Sequence, residues 1–126
     1  MLKIIQDPNL CSKRGVDGFY ALDSQTIVVS DRSNKSVLVH EISHYLWDIG
    51  STKYLNSILD ICTILGIDFF DIVNVEEVSE MVGDYEVLLD ECCAYLMEQV
   101  YLDFPELVLD SVPIYHVVLE RGVEDE

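Results

Sequence analysis

The sequence predicts an α+β fold: a small N-terminal antiparallel sheet packed on a helix, followed by a mainly helical C-terminal part. Three observations carry that prediction. Alternating and β-branched apolar runs are confined to the start of the chain, as "LKII" and "GFYALDSQTIVVS". From Lys35 onward, helix caps and helix stops follow one another instead. Half of the 126 residues are apolar and Gly and Pro number only 6 and 3, so the chain can bury a core as a single domain over residues 1–126.

Each element has a local reason. Leu2, Ile4 and Ile5 suit a short strand, ended by Asp7-Pro8-Asn9, and Gly15 and Gly18 punctuate a loop. Phe19–Leu22, a polar turn at Asp23-Ser24-Gln25 and the run Thr26–Ser30 read as a hairpin. Asp31–Asn34 supplies capping residues for a helix from Lys35 to Asp48, with Gly50 as its stop. Thr52 can cap a second helix ending near Gly66. Asn74 with Glu77 resembles a capping box for a short helix ending at Gly83, and Asp84 caps a longer one over Tyr85–Asp103, stopped by Pro105. The tail from Leu107 to Gly122 is apolar with mixed periodicity and fits neither helix nor strand alone.

Charge and cysteines limit the function classes. The net charge is −17, and it is unevenly spread. Residues 1–53 carry six basic and six acidic side chains, whereas residues 54–126 set Arg121 against 18 acids. No basic patch is available to neutralise phosphates, which argues against direct nucleic-acid binding and for a basic protein or peptide partner. The longest apolar stretch, Tyr54–Val73, is interrupted by Asp60, Asp68 and Asp71, so no membrane span is expected. Cys11, Cys62, Cys92 and Cys93 match no zinc-knuckle spacing, and the N-terminus lacks a secretory apolar core, which together point to a reducing cytoplasm.

One stretch carries chemistry. In "SVLVHEISHYLWDIG", His40, Glu41 and His44 form an H-E-x-x-H pattern. Residues four apart share a helix face, so both imidazoles can reach one ion while Glu41 leans over the adjacent edge. That arrangement is a Zn²⁺ site with a general base, once a third ligand arrives. The longer pattern H-E-x-x-H-x-x-G-x-x-H is excluded, because Trp47 and Gly50 stand where its glycine and third histidine would be.

Helix geometry ranks the candidates for the third ligand. Glu91 has Val87, Leu88, Ala94 and Tyr95 as its helical neighbours, an apolar stripe on which an unpaired carboxylate would be costly. A metal ion explains it. His116 is the alternative, as the only other histidine. Glu98 shares the stripe and could support the ligands, whereas Asp90 and Glu86 fall on another face and read as solvated. Cys92 and Cys93 read as small buried hydrophobes.

"VLVHEISHYLW", preceded by "TIVVS" and followed by the Glu-x-x-Ala of "ECCAYLMEQ", resembles the gluzincin zinc metallopeptidases. The likeness is greatest to their short forms, the minigluzincins, and to regulatory zinc peptidases that cleave phage-type repressors. It covers roughly residues 19–50 and 85–100. The resemblance implies zinc bound by His40, His44 and Glu91, with Glu41 activating a water for peptide hydrolysis. It also implies that Thr26, Ile27, Val28, Val29 and Ser30 align an extended substrate. Four residues after the glutamate ligand, where many gluzincins carry Asp, this chain has Tyr95; Tyr95, Tyr115 and His116 are the candidates for steadying an oxyanion. A second function class competes. A compact domain of charge −17 can act as an acidic inhibitor that mimics nucleic acid, of the kind found in phage and mobile elements, keeping a zinc-binding scaffold.

Overall fold

The computed structural model describes residues 2–73 and 85–121. Three strands form one sheet: β1 (Lys3–Gln6), β2 (Gly18–Ala21) and β3 (Thr26–Val29), in the order β1-β3-β2. Helices follow: α2 (Lys35–Leu65), α3 (Phe69–Val73), α4 (Tyr85–Asp103), α5 (Pro105–Ser111) and α6 (Pro113–His116), then a π-helical segment at Val117–Arg121. A short helix α1 (Pro8–Arg14) sits between β1 and β2. The fold is α+β, with the sheet N-terminal and the rest helical.

The sheet is mixed rather than antiparallel. β2 and β3 form the expected hairpin, with Phe19 opposite Val28 and Tyr20 opposite Ile27. β1 instead runs parallel to β3, pairing Ile4 with Ile27. β2 runs opposite to both β1 and β3, and the connection through α1 leaves room for β3 to insert between β1 and β2, parallel to β1. Asp7 caps the helix by accepting a hydrogen bond from the Leu10 N–H at 3.0 Å, and Pro8 occupies its first turn. Gly15, with φ of 68°, ends it in the left-handed conformation that glycine tolerates. What read as a loop is therefore a capped helix.

The sheet rests on α2 at close quarters. A Cβ on Gly18 would stand 2.8 Å from Val37 Cγ1 and 3.2 Å from the Val28 carbonyl oxygen, so only glycine fits there. Ile4, Ile27 and Val29 from the sheet meet Leu38, Val39 and Ile42 of α2 in the core. Burying each such side chain stabilises the fold by about 1.5–3 kcal/mol. Leu88, Cys93, Met97 and Val100 of α4 belong to the same core, as do Val108 and Tyr115 from the C-terminal helices.

The two helices expected over residues 35–66 are one element with a break. Asn34 caps α2 through the Val37 N–H, and Gly66 ends it with φ of 70°. At Gly50 the backbone leaves the helical region (φ −179°, ψ 73°), dividing α2 into a first arm before it and a second arm after it. Thr52 lies inside the second arm rather than capping it. α4 spans Tyr85–Asp103, the bounds the sequence predicts. The unassigned tail resolves into α5, α6 and the π-helical segment. The short helix expected over 74–83 and the cap at Asp84 lie outside the described residues. No helix among the described residues is long and apolar enough to cross a membrane.

Candidate metal centre

His40, Glu41 and His44 lie on the first arm of α2, and α4 packs across them. Each imidazole is held by a carboxylate of α4. His40 Nδ1 is 2.8 Å from Glu98 Oε1, and His44 Nδ1 is 2.9 Å from Asp90 Oδ1. An ionised carboxylate can only accept, so each Nδ1 carries the proton and donates it. That tautomer leaves both Nε2 atoms with a lone pair, the state of a metal-ligating histidine braced by a carboxylate.

His44 Nε2 lies 3.2 Å from Glu91 Oε1. With Nδ1 protonated in a neutral ring those two atoms are both acceptors, so a second proton on His44 or a cation between them would relieve the approach. A second proton on His44 would satisfy that pair alone. It would not explain why His40, His44 and Glu91 each present a ligand atom with all three atoms within 4.8 Å of one another. Ligands at 2.0–2.1 Å around a tetrahedral ion stand about 3.3 Å apart, close to the His44–Glu91 separation. The donor set therefore fits a divalent ion of tetrahedral preference.

The electrostatics follow from the same contacts. Burial works against charge on His44, but the hydrogen bond and charge of Asp90, aided by Glu91 and Glu41, outweigh it and the net shift is upward. On His40, burial and the neighbouring His44 prevail over Glu98, and the shift is downward. Glu41 is 7% exposed, and burial pushes its carboxyl up to about 7, with Glu91, Glu98 and Asp90 adding to the rise. Among the described residues its carboxylate accepts no hydrogen bond, although it borders the cleft. The side chain is buried, but its oxygens open onto the cleft, where water or a ligand can meet them.

The cleft has a volume of about 450 Å³. Gly18, Phe19, Tyr20 and Leu22 line one side, Trp47 and Asp48 continue α2, and Asp90 and Glu91 close the other. Tyr20 donates its hydroxyl to Asp48 Oδ2 at 2.8 Å, tying the strand to the helix one turn beyond His44. Burial and that hydrogen bond raise the Tyr20 hydroxyl well above its ordinary range.

Several expectations need correction. Thr26–Ser30 cannot align a substrate by backbone pairing, because β3 is the central strand, flanked by β1 and β2, and Thr26–Val29 are buried. The sheet's edges are β1 and β2, and of these β2 borders the cleft. The Ser30 N–H bonds the Asp17 carbonyl, so by alternation Phe19 and Ala21 turn their backbone groups toward β3 while Gly18 and Tyr20 turn theirs outward. Asp90 is not solvated; it holds His44, while Glu86 is exposed. Glu91 is not enclosed in an apolar stripe. Its side chain is 37% exposed, with Val87 and Tyr95 on the outer side and Leu88 and Ala94 inside, because that face of α4 borders the cleft.

The remaining candidates separate cleanly. Glu98 supports His40 as expected. Tyr95 lies edge-on to the His40 ring, centroids 4.8 Å apart, and is largely exposed beside the centre. Tyr115 is wholly buried, with its hydroxyl against Tyr54, and faces no cleft. His116 is exposed and outside the ligand cluster. Cys92 and Cys93 are buried, and burial raises both thiols. Tyr20, Trp47 and Asp48 went unread in the sequence, though Asp48 stands four residues after His44 and so shares its face.

No family model matches the chain, and no curated protein or solved structure matches it either.

Proposed function

We propose that the chain is a small zinc-dependent peptidase of gluzincin type, with His40, His44 and Glu91 as the metal ligands and Glu41 as the general base. The observation that carries this reading is the cluster itself: two histidines whose free nitrogens converge with Glu91, beside Glu41, whose carboxyl opens onto the same cleft. When bound, zinc supplies Lewis-acid activation of a water and of a scissile carbonyl. Glu41 takes the proton released by the attacking water and returns it to the leaving amine. Asp90 and Glu98 hold the imidazoles in the required tautomer and orientation.

An extended substrate pairs with the open edge of β2, through the outward backbone groups of Gly18 and Tyr20. Phe19, Leu22 and Trp47 offer apolar contact. Among the cleft-lining carboxylates, Glu41, Glu91 and Asp90 already have assigned tasks. Asp48 is left with the Tyr20 hydroxyl, and among the described residues no Lys or Arg lines the cleft, which favours a basic residue in the substrate. Free thiols at all four cysteines suit a reducing cytoplasm.

The charge of −17 favours a second reading, an acidic inhibitor that occupies a basic surface of another protein. Such a decoy has no use for Glu41. The test is cleavage of a broad peptide library by wild type and by Glu41→Gln, with and without a zinc chelator. Cleavage by wild type that is lost in both other conditions supports the peptidase. Cleavage retained by Glu41→Gln overturns it, and a biological effect indifferent to Glu41 but erased by neutralising surface acids favours the decoy.

A further inference from the structure

Val39 and Ser43 each stand one residue before a histidine of the metal centre, and both are wholly buried. Three hydroxyls meet on that buried flank of α2. Tyr54, on the second arm, donates to Ser43 Oγ at 2.7 Å. The Tyr115 hydroxyl, from α6, lies 2.9 Å from that of Tyr54 and donates to the Val39 carbonyl oxygen at 3.4 Å. The cluster thus grips the first arm at two points one turn apart, from the second arm of α2 and from α6, neither of which lines the cleft.

Packing alone does not call for this. Phenylalanine at 54 and 115 and alanine at 43 would fill similar space without desolvating hydroxyls. Nor does Gly50 hold the arms at their angle. Its φ is extended and a Cβ there would meet nothing within 4 Å, so the break needs an external brace. Apolar contacts are non-directional and permit a helix to roll, whereas hydrogen bonds fix direction. The roll matters at the centre. An imidazole nitrogen about 6 Å from the helix axis moves roughly 0.5 Å for a roll of about 5°, the tolerance of a functional constellation.

We propose that the Tyr54–Ser43–Tyr115 hydroxyl cluster is a positioning device for the metal centre, setting the roll of the first arm of α2 and with it the convergence of His40 and His44 on Glu91. It rests on the metal reading above. From the cleft side Asp90 and Glu98 orient the rings; from the core side the cluster orients the helix that carries them. The three residues are positioning residues and touch no reacting atom.

The test uses cobalt(II), whose visible absorption reports ligand geometry, on wild type, Tyr115→Phe, Tyr54→Phe and Ser43→Ala, with His44→Ala as the control for the centre. Thermal unfolding of each metal-free chain identifies the variants that fold. The expected result is cobalt and zinc affinity about tenfold weaker in the folded cluster variants, with an altered cobalt spectrum. Wild-type affinity and spectrum in folded cluster variants, with only their unfolding temperature lowered, would overturn the inference and leave the metal centre standing. If wild type itself takes up neither ion, the metal reading fails, and the inference with it.

Discussion

Both arms of α2 bury apolar side chains, Leu38, Val39 and Ile42 before Gly50 and Tyr54, Ile58, Ile61 and Cys62 after it, but the first arm also buries Glu41 and Ser43 and half-buries His40 and His44. One helix thus changes character at Gly50. In the second arm burial is repaid by apolar contact, and Tyr54 alone sends a polar atom outward, to Ser43. In the first arm His40, His44 and Asp48 have partners on other elements, and Ser43 has one on the second arm. The difference teaches where to expect each phenotype. Apart from Tyr54, substitutions after Gly50 should act on stability, and those at His40, Glu41, Ser43 and His44 on metal and chemistry.

The largest effect should break that symmetry most openly. Glu41→Gln is expected to lower hydrolysis by about 10²–10⁴-fold, the range for losing a general base. Its zinc content should stay unchanged, and its thermal stability should not fall, because an amide avoids burying a charge. Steady-state hydrolysis beside elemental analysis and a melting curve checks all three.

Ile58 tests the other arm. Wholly buried, it should cost about 2–5 kcal/mol on replacement by alanine, read by urea unfolding. The folded fraction of Ile58→Ala should still bind zinc with wild-type affinity. A selective loss of affinity there would erase the distinction between the arms.

Asp90→Asn and Glu98→Gln should weaken zinc binding by about 10–100-fold in a chelator competition, because each replaces the charged acceptor that orients a ring by a neutral, weaker one. An unchanged affinity in both would reduce the α4 carboxylates to surface ion pairs. The smallest effect belongs to Asp48. Asp48→Asn should reduce the preference for a basic residue in cleaved peptides by about two- to fivefold, the scale of a partly exposed charge pair.

How much of this was legible follows from which signals are local. The caps at Asn34 and Gly66, the H-E-x-x-H pair and the span of α4 could all be read, because each depends on residues within one or two turns. α1 was missed although Asp7, Pro8 and Gly15 marked both ends. Its seven residues bury only Cys11 and so carry no apolar period. The parallel β1 escaped because it pairs with β3, which inserts between β1 and β2, a non-local choice of neighbour. Asp90 was misread because helical spacing says which residues share a face but not which element covers that face. Here α2 covers it, and His44 turns a seemingly solvated carboxylate into a brace. Tyr54 and Tyr115 meet 61 positions apart, a contact no local pattern encodes.

The central claim is that His40, His44 and Glu91 form one metal centre, and metal stoichiometry tests it most directly. Wild type, His44→Ala and Glu91→Ala would each be equilibrated with zinc, dialysed, and analysed for metal per folded chain. The account predicts about one zinc in wild type, essentially none in His44→Ala and clearly less than one in Glu91→Ala. Wild type emerging metal-free, or His44→Ala retaining a full equivalent, would contradict it.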